Sequence, residues 1–178
     1  MKLRNLFTPC LSAGRSLVSA LVLACAFVAP AGAAAISDYL ENNLVDWLIR
    51  AQAFTAPATT YFGLATSTGS DAACGTEVTG GSYARVAVTS ALANWAGTQS
   101  AGSTAASSGT GGTTSNNAAI TFPSPTANWG SVSEFCVFDA STSGNLLWRA
   151  ALTTPKTINN GDAAPAFAAG AATLQVDN

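Results

Sequence analysis

Acidic side chains are the residues of this sequence that could carry general acid or base chemistry, because the chain contains no histidine. Two carboxylates can hydrolyse a glycosidic bond when one has a raised pKa and the two lie about 5 to 9 Å apart. The acids are scattered, and none has the spacing of a calcium-binding loop: Asp71, Glu77, Glu134, Asp139 and Asp162. Their distribution favours solvated acids, so we predict no enzymatic activity, no cofactor and no metal site.

Charge is scarce in this chain and is mostly negative. Charged residues make up 9% of the sequence, and from residue 36 onward 4 Lys or Arg stand against 9 Asp or Glu, a net charge of −5. Nucleic-acid binding requires a basic surface, so we predict no nucleic-acid partner. The absence of histidine also argues against the usual serine or cysteine triads and most zinc sites.

Residues 1–35 are typical of an export signal. Three basic residues precede an uncharged stretch over 16–29, and small residues follow it. This stretch of 14 residues is shorter than the roughly 20 that a membrane-spanning helix needs. We therefore predict cleavage after Ala33 or Ala35, secretion to the cell surface or the medium, and membrane contact only through the signal.

Removal of the signal would leave Cys74 and Cys136 as the cysteines of the mature chain. Two cysteines in an exported protein commonly form a disulfide. We predict this bridge; the alternative is two buried thiols that never meet.

One segment, 38–52, has helical periodicity. Its apolar residues are spaced at i, i+4, i+7 and i+8, with acids in the first turn and Arg50 in the last: Leu40, Leu44, Trp47 and Leu48. This pattern predicts an amphipathic helix. Its apolar stripe either covers an end of the sheet structure, which we favour, or contacts a neighbouring subunit.

The remaining sequence consists of short segments rich in aromatic and β-branched residues, separated by turn residues. The glycines at 80–81 and the Ser-Gly-Asn run at 143–145 predict hairpin turns. We predict strands at 59–66, 83–89, 118–122, 132–138, 146–152, 156–158 and 172–176. Their number and spacing predict one all-β domain over 36–178, an antiparallel β-sandwich or jelly-roll-like barrel with one N-terminal amphipathic helix.

Residues 97–117 interrupt the strand pattern, because they include no charge and no large apolar side chain. Such a segment cannot bury enough surface to offset its ordering entropy. It predicts a flexible surface loop, or an arm that becomes ordered against a neighbouring subunit.

Five aromatic residues could form a platform for sugar rings, although aromatics at strand spacing more often belong to the core: Trp95, Trp129, Trp148, Tyr61 and Tyr83. Arg85 and Arg149 are two of the few positive charges, and we predict that each pairs with an acid.

Several segments carry a resemblance to a known family. The chain resembles the small tail-fibre-like structural proteins of tailed bacteriophages over nearly all of 36–178, at 36–42, 57–64, 75–85, 120–123, 127–130, 138–140, 144–148 and 151–156. The resemblance implies a β-rich, non-enzymatic virion component without catalytic residues. The export signal and the cysteine pair depart from this pattern, because virion proteins are assembled in the cytoplasm.

Two functional hypotheses follow. The first is an exported structural protein that assembles with copies of itself into a surface or extracellular homo-oligomer or filament, with a place in the virion as the alternative. The second is a monomeric secreted adhesin or glycan-binding module that holds a cell-surface ligand with its loops.

Overall fold

The computed structural model describes residues 26–27, 35–97, 105–108 and 112–176. The predicted signal peptide therefore lies outside the described residues except at its positions 26, 27 and 35. The described residues contain one helix and eleven strands. In chain order they are β1 (Ala26–Phe27), β2 (Ala35–Ile36), the helix α1 (Asp38–Ile49), β3 (Thr59–Ala65), β4 (Val86–Thr89), β5 (Trp95–Ala96), β6 (Thr113–Asn116), β7 (Ile120–Thr121), β8 (Gly130–Phe138), β9 (Leu146–Ile158), β10 (Ala166–Phe167) and β11 (Thr173–Gln175).

The strands form three sheets. The largest has the order β2-β9-β8-β3-β4, and two smaller sheets have the orders β1-β10-β7 and β11-β6-β5. Pairing is antiparallel in each sheet except between β1 and β10, which run parallel. The prediction of an all-β antiparallel fold with one N-terminal helix is confirmed.

The main core lies between the five-stranded sheet and the sheet that contains β10. The rings of Phe62 on β3 and Phe135 on β8 stack at 5.8 Å, and Phe135 meets Phe167 of β10 edge to face at 5.0 Å. All three rings are fully buried. These contacts hold the two sheets in layers, as in a sandwich.

The opposite face of the five-stranded sheet carries a second, smaller cluster. Cys136, Phe138 and Leu146 are buried there, with Tyr61 and Cys74 packed against them. Because side chains alternate along a strand, β8 turns Phe135 to the main core and Cys136 to this second face. The candidate functional residues lie mostly on this second face.

The boundaries of β9 differ from the sequence prediction of two strands, since β9 runs unbroken from Leu146 to Ile158. Pro155 lies where the pairing with β8 shifts register, between the pairs Val132–Lys156 and Glu134–Ala151. A register shift accommodates a proline that regular pairing would exclude.

The predicted flexible loop over 97–117 requires a correction, because its last part is a strand. Residues of β6 pair with β5 on one side and β11 on the other. The strand is held by the hydrogen bonds of the sheet instead of by apolar side chains. The buried side-chain amide of Asn116 adds hydrogen bonds to the carbonyls of Ala118 and Ala168. Residues 98–104 and 109–111 of this segment lie outside the described residues.

The two predicted hairpin turns have different outcomes. Ser143 and Gly144 have positive φ and join β8 to β9, as predicted. Gly80 and Gly81 also form a turn, but the hairpin they predict between residues 76–78 and 83–88 is absent, because β4 starts only at Val86 and pairs with β3.

Helix α1 ends at Ile49, three residues before the predicted boundary. Ala51 has a φ of 54°, and the amides of Arg50 and Gln52 both donate to the Asp46 carbonyl, which stops the helix. Among the described residues, no helix is long and apolar enough to cross a membrane.

Candidate functional site

The predicted disulfide between Cys74 and Cys136 is present. It joins the 69–75 loop to β8, with the two Cα atoms 6.0 Å apart across a sequence separation of 62 residues. Cys136 is buried on the second face of the five-stranded sheet, whereas Cys74 is only half-buried. The bridge therefore fastens a surface loop to the middle of the sheet.

Glu134 holds the same loop through hydrogen bonds. Its Oε2 accepts from the amides of Gly69 at 2.9 Å and Gly75 at 3.1 Å, and the side chain is fully buried. Its Oε1 lies 3.1 Å from Arg149 Nε as an ion pair, without the alignment of a hydrogen bond. The prediction of a solvated acid is wrong at Glu134, because the loop and Arg149 cover it.

Arg149 on β9 also holds the 69–75 loop, which we call the anchored loop. Its Nη2 donates to the Gly69 carbonyl at 2.7 Å, and its Nη1 lies 3.8 Å from the exposed Asp71 carboxylate. The loop thus meets a positive guanidinium and a negative carboxylate side by side. The prediction that Arg149 pairs with an acid is confirmed.

Glycine is required at both loop positions that face Glu134. A Cβ at Gly69 would clash with the Ala73 carbonyl oxygen, and one at Gly75 would clash with the Ser67 carbonyl oxygen. Both clashes are with backbone atoms, which cannot rotate away. The absence of a side chain lets both amides reach the carboxylate.

Cys74, Glu134 and Cys136 also bring three metal-ligating atoms within 4.8 Å of one another. The two sulfurs are bonded to each other, and the carboxylate is already engaged with two amides and Arg149. As oxidised, this cluster is a structural anchor with no free set of ligands to offer a metal.

A second polar cluster surrounds Glu77. Arg85 binds both of its carboxylate oxygens, each at 2.7 Å, and the Tyr83 hydroxyl donates to it at 2.9 Å. The guanidinium also donates to the Ala140 and Ser143 carbonyls and lies 3.4 Å above the Phe138 ring. The prediction of an acid partner for Arg85 is confirmed, and the pair ties the 77–85 segment to the β8–β9 hairpin.

Tyr83 is unusual because its hydroxyl both donates and accepts a hydrogen bond inside the protein. It donates to Glu77 and accepts from the Leu64 amide at 2.8 Å. Burial, and then the negative charge of Glu77, raise the pKa of Tyr83 well above its ordinary value of 10.0, against the lowering effect of the Leu64 amide. The neutral hydroxyl therefore belongs to the folded structure.

This second cluster borders an open groove of about 510 Å³ that Tyr83, Arg85 and the exposed residues 141–143 line. The charged groups at its wall already bind each other. The remaining predicted acids also serve local structure, because Asp139 accepts from the Asn145 amide and Asp162 from the Asn159 amide, both at 2.7 Å.

The aromatic residues do not form an exposed platform for sugar rings. Trp129 is buried and donates to the Gly81 carbonyl, and Trp95 stacks on Phe62 at 5.8 Å. The other three rings pack, partly buried, against the two core clusters: Trp148, Tyr61 and Tyr83. The structure favours the core interpretation for all five.

Helix α1 is attached firmly at its N-terminal end. The Ser37 hydroxyl accepts from the Leu40 amide at 3.2 Å and donates to the Leu146 carbonyl at 2.5 Å, while the Ser37 amide donates to Leu147. The Asp38 amide also bonds the Asp71 carbonyl in the anchored loop. Ser37 is thus both the helix cap and its link to β9, a role that the spacing of the apolar helix residues does not indicate.

Most of the apolar side of α1 faces away from the protein. Leu40 is buried, so the expectation that the stripe covers the sheet is met at Leu40. Leu44, Trp47 and Leu48 are 38%, 54% and 65% exposed, and Val45 and Ile49 are exposed beside them. We call these five exposed residues the α1 apolar surface: Leu44, Val45, Trp47, Leu48 and Ile49.

The spacing of residues along the chain indicates only part of this site. Helical spacing identified the four helix residues, but it could not say which of them face solvent. Glu134 and Cys136 are two residues apart on one strand, so they share a face, and this spacing could have placed the acid beside the disulfide.

The family comparison covers most of this architecture. The family described as Podophage GP4 fiber I protein gp80 matches residues 35–175, from β2 to the end of β11. No curated protein matches the chain. The matched range contains the helix, the disulfide and both polar clusters, and it agrees with the resemblance noted in the sequence. The chain therefore belongs to the family of the podophage GP4 fiber I protein gp80, a family of structural phage fibre proteins.

Proposed function

We propose that this protein is a non-enzymatic structural subunit of a phage fibre and that copies of it associate through the α1 apolar surface. Membership of a phage fibre family supports the structural role and the place in the virion. The observation that carries the self-association is the row of large apolar side chains exposed on one short helix. Such a surface is costly in water unless another protein covers it.

The attachment of α1 supports this use of its surface. Its N-terminal end is hydrogen-bonded to the start of β9 and to the anchored loop, so the helix has a defined position on the subunit. A surface held in one place can pack against the same surface of another copy without a large entropic cost.

The α1 apolar surface contains no charged side chain that contact between identical copies would have to bury. The polar side of α1 carries an internal pair, with Arg50 Nη1 2.6 Å from Asp46 Oδ1, and the α1 apolar surface itself holds no charge. Two copies can therefore bring these surfaces together without burying an unpaired charge.

The acids support the absence of catalysis. Glu77 and Glu134 are bound to arginines, and Asp139 and Asp162 accept backbone amides that shape turns. Each of these four carboxylates is thus already engaged by other groups of the protein, which favours a structural role for all of them. Export through residues 1–35 stays a prediction outside this proposal.

The test compares the mass of the native full-length protein with that of two helix variants, by light scattering at several concentrations. Trp47→Glu places a charge in the α1 apolar surface, and Asn42→Glu places the same charge at an exposed position near the start of the helix. We expect the unaltered protein and Asn42→Glu to form the same oligomer and Trp47→Glu to be monomeric, with unchanged circular dichroism.

A monomeric unaltered protein, or a Trp47→Glu variant that assembles normally, would contradict the proposed interface. A monomer would also shift the weight of evidence to a binding module, and titration with oligosaccharides would then be the next measurement.

A further inference from the structure

Strand β1 lies within the segment whose sequence predicts an export signal, yet it is part of the main core. Ala26 and Phe27 pair in parallel with Ala166 and Phe167 of β10. Phe27 is 1% exposed, which makes it one of the most buried large side chains of the described residues.

The ring of Phe27 completes an aromatic cluster between the sheets. It lies 4.9 Å from the Phe167 ring and meets Phe122 edge to face at 6.3 Å. Phe167 in turn contacts Phe62 and Phe135, which belong to the five-stranded sheet. Phe27 is therefore connected through Phe167 to both layers of the fold.

Removal of β1 would leave a defined gap. Both predicted cleavage positions, after Ala33 and after Ala35, lie beyond Phe27, so cleavage at either would separate β1 from the rest of the chain. The edge of β10 would then lose its partner, and the rings of Phe122 and Phe167 would lose their cover. An open strand edge beside an apolar slot readily accepts another strand.

We propose that β1 is a permanent strand of the folded protein and that the edge of β10 is its acceptor. The chain then retains its N-terminal apolar segment instead of losing it after Ala33 or Ala35. This inference is independent of the α1 apolar surface, because it concerns packing inside the main core and requires no second copy.

Retention has a simple physical basis. Burial of a phenylalanine ring in a preformed aromatic cluster is among the larger contributions a single side chain makes to stability. Folding that buries Phe27 also removes part of the apolar segment from access by a processing enzyme. A fold that forms before processing therefore protects its own N-terminal strand.

The first measurement is the intact mass and N-terminal sequence of the full chain, made in bacterial cells with an active export pathway and carrying a C-terminal tag. We expect a protein whose first residue lies before Ala26. A protein that begins at residue 34 or 36 would overturn the proposal.

The second measurement tests the packing of the ring by thermal denaturation of full-length variants. We expect Phe27→Ala to lower the melting temperature by about 10 °C, because the cavity it leaves in the aromatic cluster is not refilled. Phe27→Leu keeps much of the apolar volume and should show a smaller decrease. Leu92→Ala removes an apolar side chain from an exposed position and should leave the melting temperature nearly unchanged.

Two results of the second measurement would count against the role of β1. One is a Phe27→Ala variant with the melting temperature of the unaltered protein. The other is an equal decrease for Phe27→Ala and Leu92→Ala, because it would show a general effect of losing an apolar side chain without the specific packing of Phe27. If Phe27→Ala does not accumulate as folded protein, the comparison of Phe27→Leu with Leu92→Ala distinguishes the same two outcomes.

Discussion

At the scale of single residues, Glu134 connects the five-stranded sheet to the 69–75 loop at the surface. One carboxylate oxygen accepts two loop amides and the other faces Arg149, and no part of the side chain meets solvent. A buried charge of this kind is stable only while its partners are present. The loop and the sheet therefore depend on each other at this residue.

We expect Glu134→Gln to lower the free energy of unfolding by about 3 kcal/mol, because the neutral amide leaves the Arg149 guanidinium without its buried counter-charge. Urea denaturation at neutral pH measures the change. Glu41→Gln removes the same charge from an exposed helix position and should change stability by less than about 0.5 kcal/mol. Equal midpoints for the two variants would show that the buried pair does not stabilise the fold.

Tyr83 predicts a dependence of stability on alkaline pH. Burial raises its pKa above 10.0 in the folded protein, so the folded state holds the hydroxyl proton more tightly than the unfolded state does. This contribution to stability is fully present below pH 10 and is lost as the pH rises from there toward the folded-state pKa. Tyr83→Phe should remove that part of the pH dependence.

The measurement is urea denaturation of the unaltered protein and Tyr83→Phe at several values between about pH 8 and pH 11. The difference in unfolding free energy between the two should shrink as the pH rises above the ordinary tyrosine pKa. Tyr39→Phe, at an exposed helix position, serves as the control and should retain the slope of the unaltered protein. A constant difference across the range would argue against a protonated, buried Tyr83.

At the scale of elements, the 69–75 loop has two independent attachments to β8. The disulfide supplies one and the Glu134 hydrogen bonds supply the other. The Asp38 amide donates a hydrogen bond to the Asp71 carbonyl, so the same loop also supports the start of α1. Loosening the loop should therefore also destabilise the start of α1.

Reduction of the disulfide should lower the free energy of unfolding by about 4 kcal/mol, because a closed loop of about 60 residues no longer restricts the unfolded chain. Urea denaturation with and without reductant measures this, and Cys74→Ser with Cys136→Ser should reproduce it. The double variant serves as its own control, since reductant should not affect it. A reductant effect on the double variant would show that the loss comes from something other than the bridge.

The sequence predicts elements well where periodicity is strong. The helix, the long strands β3, β8 and β9 and the turn at Ser143–Gly144 are all visible as patterns, because one buried face imposes regular spacing. The two-residue strands β1, β2, β5 and β10 exist through tertiary pairing, so a pattern over two residues cannot reveal them, whereas β7 lies inside the predicted strand over 118–122. The strand β6 was missed because its residues are polar and its order comes from hydrogen bonds.

The candidate site was predictable only in part, for the same reason. Cysteine number and sequence context identified the disulfide, and scarcity of positive charge identified the two paired arginines. The partners of those arginines depend on which strands lie side by side, which no local pattern contains. Exposure of Trp47 and Leu48 likewise depends on which elements pack against α1, which helical spacing does not contain.

At the scale of the whole molecule, the scarcity of charge determines how assembly should respond to salt. The proposed contact involves apolar side chains, so screening of charges should not weaken it. We expect the oligomer to remain intact, or to strengthen, when sodium chloride is raised from about 0.1 M to about 1 M. Sedimentation velocity at both concentrations measures this.

Sedimentation of Asn42→Glu under the same two conditions provides the matched control. Its added charge lies outside the α1 apolar surface, and its salt response should follow that of the unaltered protein. Dissociation of the unaltered oligomer at high salt would indicate a contact held by ion pairs, and the α1 apolar surface would then be the wrong interface.

The hydrogen bonds between Glu134 and the 69–75 loop also bear on how the disulfide forms. The hydrogen bonds from Gly69 and Gly75 to the carboxylate require no sulfur chemistry, so they can form while both cysteines are still thiols. They bracket Cys74 in the loop, and Cys136 lies two residues beyond Glu134 on the same face of β8. We therefore expect the carboxylate to position Cys74 near Cys136 before the covalent bond forms.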